Sequence, residues 1–179
     1  EKQGEINDAI VDYSKAIELD PYYDVYYLNR GLLYEKIDSF SRAFYDFSKA
    51  IDLIPDNINY NHRAHLSEKM KNYAQAIKDY KSAIKAEPTN ASYIANYALF
   101  LVRTGKYDKG LKQFENAIET DTSNTMIYFN RAKAYKIIRN PDKAIDEYKT
   151  VITIDPEDPE GYYYLADYYD SSSNYVKAV

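Results

Sequence analysis

Residues 76–84 read AIKDYKSAI, and the same block returns as AIVDYSKAI at 9–17, AFYDFSKAI at 43–51 and AIDEYKTVI at 144–152. Its leading small residue recurs at Ala9, Ala43, Ala76, Gly110, Ala144 and Ala178, in steps of 34, 33, 34, 34 and 34. An aromatic follows four residues later at Tyr13, Phe47, Tyr80, Phe114 and Tyr148. A second small residue follows three later at Ala16, Ala50, Ala83 and Ala117, with Val151 as the exception. Spacings of four and three place such residues on one face of a helix. A fixed period across the chain marks a repeat architecture.

Each period holds a second helical pattern upstream of the block. In 125–158 it is Tyr128, Ala132 and Tyr135, ahead of Ala144, Tyr148 and Val151. Short turns separate the two patterns, at Ile37-Asp38-Ser39, Thr104-Gly105-Lys106 and Arg139-Asn140-Pro141. Pro141 suits a helix's first turn, where its missing N–H costs little. Pro55, Pro88 and Pro156 follow the blocks and oppose their continuation, with Thr122 in the remaining slot. Two helices of ~13 residues are rods of ~20 Å, which short turns force antiparallel. One such hairpin buries little alone, so neighbours must stack. The single 33-residue step lies in the turn after Pro55. Pro21 to Tyr27, Pro88 to Ile94 and Pro156 to Tyr162 are six residues, whereas Pro55 to Tyr60 is five. A slightly altered angle between the first two full repeats is expected there.

Composition narrows the function classes. The 179 residues carry a net charge of −5, which argues against a nucleic-acid binder built on phosphate contacts. There is no Cys, hence no disulfide and no thiolate chemistry. No apolar run approaches the ~20 residues of a membrane span. The opening residues lack a signal peptide's apolar segment, which fits a cytoplasmic protein. His62 and His65 are the only histidines. Their i, i+3 spacing could place two metal ligands on one face, but with no Cys beside them they read as polar surface residues. Asp79, Glu115, Asp146 and Glu147 read as the solvated faces of the second helices, not as a catalytic dyad. No metal, cofactor or catalytic residue is expected.

The recurring residues resemble the tetratricopeptide repeat (TPR) family. Tyr27, Gly31, Tyr34, Ala43, Phe47, Ala50 and Pro55 match its pattern throughout. The most divergent set is Ile94, Ala98, Leu101, Gly110, Phe114, Ala117 and Thr122. The resemblance implies an all-α solenoid, a right-handed superhelix of stacked antiparallel hairpins. It divides 1–179 into four complete repeats, 24–56, 57–90, 91–124 and 125–158. Partial repeats at 1–23 (a second helix only) and 159–179 flank them. The array reads as a fragment whose open, Tyr-rich ends (Tyr162, Tyr163, Tyr164, Tyr168, Tyr169) could support self-association or serve as core of the last repeat.

In this family the first helices line a concave groove that takes a protein or peptide segment. Carried over, its positions include Val25, Leu28, Leu32, Ile58, Leu99 and Phe129 as apolar contacts, and Asn29, His62, Asn96 and Asn130 at one recurring place. An Asn amide donates and accepts, so it can grip a peptide backbone. This is similar to the asparagine ladder of O-GlcNAc transferase; the alternative is a bond to a neighbouring helix. The groove places also hold Lys36, Lys69, Arg103, Lys133 and Lys136 against Glu35 and Glu68, with His65 among them. This excess of cations favours an acidic segment. The carboxylate clamp of chaperone-binding members is missing in every register; from the first full repeat its places hold Leu28, Leu32, His62, Ser92 and Asn96. The leading expectation is therefore a non-enzymatic scaffold for an extended or helical segment. The alternatives are a substrate-recruiting arm of a larger enzyme, such as a glycosyltransferase, and a self-assembling array.

Overall fold

A computed structural model describes residues 2–171. The described residues form ten α-helices and no strand. They are α1 (Lys2–Leu19), α2 (Asp24–Lys36), α3 (Phe40–Leu53), α4 (Asn57–Lys69), α5 (Tyr73–Ala86), α6 (Ala91–Arg103), α7 (Tyr107–Thr120), α8 (Thr125–Ile137), α9 (Pro141–Ile154) and α10 (Pro159–Ser171). They fall into two compact units. The first runs to Pro88 with α1–α5; the second starts at Thr89 with α6–α10. Residues 174–179, read from sequence as the start of a further second helix, lie outside the described residues.

Both expected helices of each hairpin form. The pairs α2/α3, α4/α5, α6/α7 and α8/α9 pack along their length. The small and aromatic stripe becomes the core. Ala43, Phe47 and Ala50 are wholly buried, and so are Ala76, Ala83, Phe114, Ala117, Ala144 and Val151. Pro141 opens α9, as its fixed φ allows. Asp56, Asn72, Asn90, Asn124 and Asn140 cap helices by accepting from backbone N–H groups within the first turn. Asn90 caps α6 by accepting from the Ser92 N–H at 3.2 Å.

The turn after Pro55 is one residue short, as the spacing indicated. Three residues (54–56) link α3 to α4, whereas four link α1 to α2, α5 to α6, α7 to α8 and α9 to α10. A buried amide braces the tight link: Asn59 Nδ2 donates to the Ile54 carbonyl at 3.0 Å and to Asp24 Oδ2 at 3.2 Å.

Candidate interaction surface

Three hairpins share a buried polar tie. Arg30 of α2 donates through Nε and Nη2 to both oxygens of Asp46 on α3, each at 2.8 Å. Its Nη1 donates to Ser14 Oγ on α1 at 3.0 Å, so one guanidinium joins three helices. Arg63 repeats this with Asp79 at 2.8 and 2.9 Å and with Ser48 at 3.0 Å. Arg131 donates to Glu147 at 2.9 Å. Asp46, Asp79 and Glu147 retain 1%, 0% and 7% of their exposure. This corrects the solvated placement expected of Asp79 and Glu147; Glu115 and Asp146 are exposed as expected. The Asp46 hydrogen bond raises the Arg30 pKa, and burial raises that of Glu147 against the pull of Arg131. A signal was present in the sequence. Each arginine directly precedes the small residue of its first helix, and each acid lies 16 residues on, directly before the core aromatic.

The surface formed by the first helices differs between the units. In the first unit, Glu35 on α2 accepts from Lys69 Nζ at 2.7 Å and lies 3.5 Å from His65 Nδ1, both on α4. Hydrogen bonding from His65, then from Lys69, holds its carboxyl at about 2 against the opposing effect of burial. Lys69 is therefore engaged within the chain, and the cation excess summed from the sequence is smaller there. His62 packs on the Phe47 ring, centroids 5.8 Å apart, and burial lowers its pKa. Among the described residues no three His, Cys, Asp or Glu groups gather as metal ligands would. Asn29 is half-buried and Lys36 exposed. Ile58 is exposed, while Leu28 and Leu32 lean on the core of Ala43, Phe47 and Leu66.

In the second unit, Asn130 is buried, and its Nδ2 donates to Asn96 Oδ1 at 3.2 Å. This is the neighbour-helix bond that the sequence allowed beside a peptide-gripping role. Phe129 is not an open apolar contact. It is buried against Tyr148 and Tyr164, at centroid distances of 6.3 and 5.5 Å. Leu99 is buried as well. Arg103 is exposed at the end of α6, and Lys136 lies 4.0 Å from Asp167. Lys133 is half-buried and makes no ion pair among the described residues. Of the terminal tyrosines, Tyr164 stacks on Tyr148, and Tyr162 and Tyr163 are exposed.

A family profile described as tetratricopeptide repeat matches residues 22–178, and a second, TPR repeat, matches 2–38. The chain belongs to the tetratricopeptide repeat family. Solved structures agree on the fold. Yeast Tom70 superposes with a TM-score of 0.74 at 21% identity, covering 94% of this chain and 37% of that one. A tetratricopeptide repeat protein from Parabacteroides merdae gives 0.73 at 17%, with 99% and 71% covered. YrrB, described as a TPR protein with an unusual peptide-binding site, gives 0.61 at 22%, with 87% and 81% covered. Among curated proteins, a UDP-N-acetylglucosamine–peptide N-acetylglucosaminyltransferase of Giardia intestinalis is 48% identical over 58 residues. That match covers 30% of this chain and 4% of the relative's length. Repeats of this family are protein-interaction modules in general. Among the described residues no helix is long and apolar enough to cross a membrane.

Proposed function

We propose that the chain is a non-catalytic scaffold that holds an extended or helical segment of a partner protein against its first-helix faces, with acidic or polar segments preferred. Membership of the repeat family supports the general reading. The preference rests on one observation: on α8, Lys133 makes no ion pair among the described residues and lies one turn from Lys136 and its long 4.0 Å contact to Asp167. Lys36 on α2 and Arg103 on α6 are exposed cations at comparable positions. Such charges steer and select more than they tighten. On an array of acidic and neutral peptides, Lys133→Glu is expected to weaken the acidic ones by about threefold to tenfold and spare the rest. Unchanged acidic binding would remove the preference. Asn96→Ala reports separately on the amide pair.

A second reading has its own support. The 48% identity over 58 residues to a peptide N-acetylglucosaminyltransferase favours a substrate-recruiting arm of such an enzyme. Transfer of N-acetylglucosamine to peptides by the full-length protein that contains these residues would establish it, and its absence would discard it.

A further inference from the structure

The hairpin α4/α5 departs from the others at one corner. Tyr27, Tyr128 and Tyr162 each donate a phenol O–H to the carbonyl six residues earlier, of Pro21, Thr122 and Pro156, at 3.3, 2.9 and 3.2 Å. Tyr60 is their counterpart, but it follows Pro55 by only five residues, and its hydroxyl makes no hydrogen bond among the described residues. A recess of about 290 Å³ opens beside it, lined by Pro55, Tyr60, Ser82, Lys85 and Ala86. Two residues of α5 at this corner also break the repeat. Where Lys85 stands, the other second helices carry Glu18, Asp52, Glu119 and Thr153; where Ala86 stands, they carry Leu19, Leu53, Thr120 and Ile154. Lys15 and Lys49 pair with the first two of those acids at 2.8 and 3.9 Å, and Ser82 takes the place of these lysines. The short link, the small Ala86 and the reversed charge meet at one recess.

We propose that this recess binds the phosphoryl group of a phosphate ester. Three donors line it: the Tyr60 and Ser82 hydroxyls, on half-buried residues, and the exposed Lys85 ammonium. None of the three has a hydrogen-bond or ion-pair partner among the described residues. A phosphate monoester brings three terminal oxygens and close to two negative charges, so it can accept from all three donors and answer the ammonium. The carboxylates nearest in sequence are engaged elsewhere. Asp56 Oδ1 accepts from the Asn59 N–H at 2.8 Å, and Glu87 accepts from Asn57 Nδ2. Pro55, Ala86 and the Tyr60 ring supply apolar walls, which suit the carbon stem of the ester. Ala86 keeps the space open, where a leucine like Leu19 or Leu53 would take up part of it. The site uses no groove residue, so its failure leaves the groove reading untouched.

The full chain is titrated with inorganic phosphate, O-phosphoserine and a short phosphoserine peptide at constant ionic strength, read by amide chemical shifts. Saturable shifts are expected around Tyr60, Ser82 and Lys85, with acetate about tenfold weaker than phosphate. Lys85→Glu and Ala86→Leu install residues that the other second helices carry, and circular dichroism will confirm that both variants keep their helices. Each should weaken phosphate binding by about tenfold or more. Tyr60→Phe removes one donor and should cost about fivefold. Lys81→Glu makes the same charge change at an exposed position outside the recess and should leave binding within about twofold. A peptide that binds more tightly than O-phosphoserine would assign the site to a phosphorylated partner, and equal binding to a free phosphate ester; both outcomes support the proposal. Absence of saturation, acetate equal to phosphate, equal losses in Lys81→Glu and Lys85→Glu, or indifference to Ala86→Leu would overturn it.

Discussion

The hairpin α6/α7 and its three counterparts reach the same shape by different means. In α2/α3, α4/α5 and α8/α9 an arginine of the first helix holds a buried carboxylate of the second. In α6/α7, Tyr97 replaces the arginine and Gln113 the acid. There α6 buries Ile94, Ala95, Ala98, Leu99, Phe100, Leu101 and Val102. Tyr97 stacks on Phe100 at 6.3 Å, and Gly110 brings α7 against the α6 backbone. A buried ion pair adds little net stability over good apolar packing, because desolvation offsets the attraction. Losing one partner is costly, because the other charge stays buried and unmatched. The polar hairpins are therefore more sensitive than the apolar one to the loss of a single side chain.

This contrast is broken most sharply at Arg63. Arg63→Leu leaves Asp79 wholly buried with only Gln75 donating to it. It should destabilise the first unit by about 3–5 kcal/mol. The double variant Arg63→Tyr with Asp79→Gln imports the α6/α7 solution and should recover most of that loss. Urea unfolding followed by circular dichroism measures both. Equal losses in the single and double variants would show that the unmatched charge is not the cause.

A smaller effect tests the other side. A Cβ at Gly110 would lie 2.5 Å from Val102 Cγ2, 2.8 Å from the Ala98 carbonyl oxygen and 3.1 Å from the Val102 amide nitrogen. Backbone cannot step aside as a side chain can, so Gly110→Ala should cost about 1–3 kcal/mol. Gly31→Ala meets side chains instead, the Phe47 ring at 2.7 Å and Asp46 Cβ at 3.3 Å, and should cost less. The reverse order in thermal unfolding would mean that the α6/α7 contact has more slack than its geometry indicates.

The period exposed the helices and the core because several residue classes repeat in one register and all of them are buried. The partners of charges were hidden. Asp79 and Glu147 look like solvated acids when their helix is read alone, and only the recurrent 16-residue offset to an arginine reveals the tie. Glu35 and Lys69 meet across 34 residues, one more than the 33-residue step between their repeats, so a sum of groove charges counts both as free. Phe129 occupies a groove place by position, yet Tyr164 of α10 packs against it. A local pattern reports which face a residue occupies, not what the next hairpin lays upon it.

The smallest expected effect lies in the turns, where α6/α7 again differs. All four hairpin turns end the first helix in one way. The residue after the cap enters the left-handed region, at φ 55° for Asp38, 59° for Lys71, 58° for Arg139 and 81° for Gly105. Its N–H and the next one return to the helix, as Lys71 does to Glu68 at 2.9 Å and Asn72 to Ser67 at 2.8 Å. Only the third turn uses glycine. A side chain in this conformation costs about 1 kcal/mol, and glycine removes that cost while adding freedom to the unfolded chain. The strain relief is the larger quantity at an exposed turn whose hydrogen bonds stay intact. Lys71→Gly should therefore stabilise the first unit by about 0.5 kcal/mol, and Gly105→Ala should weaken the second by about 1 kcal/mol. Both shifts are readable as changes in urea midpoint at constant slope. If Lys71→Gly lowers the midpoint, the Lys71 side chain contributes something at this turn beyond its backbone angle.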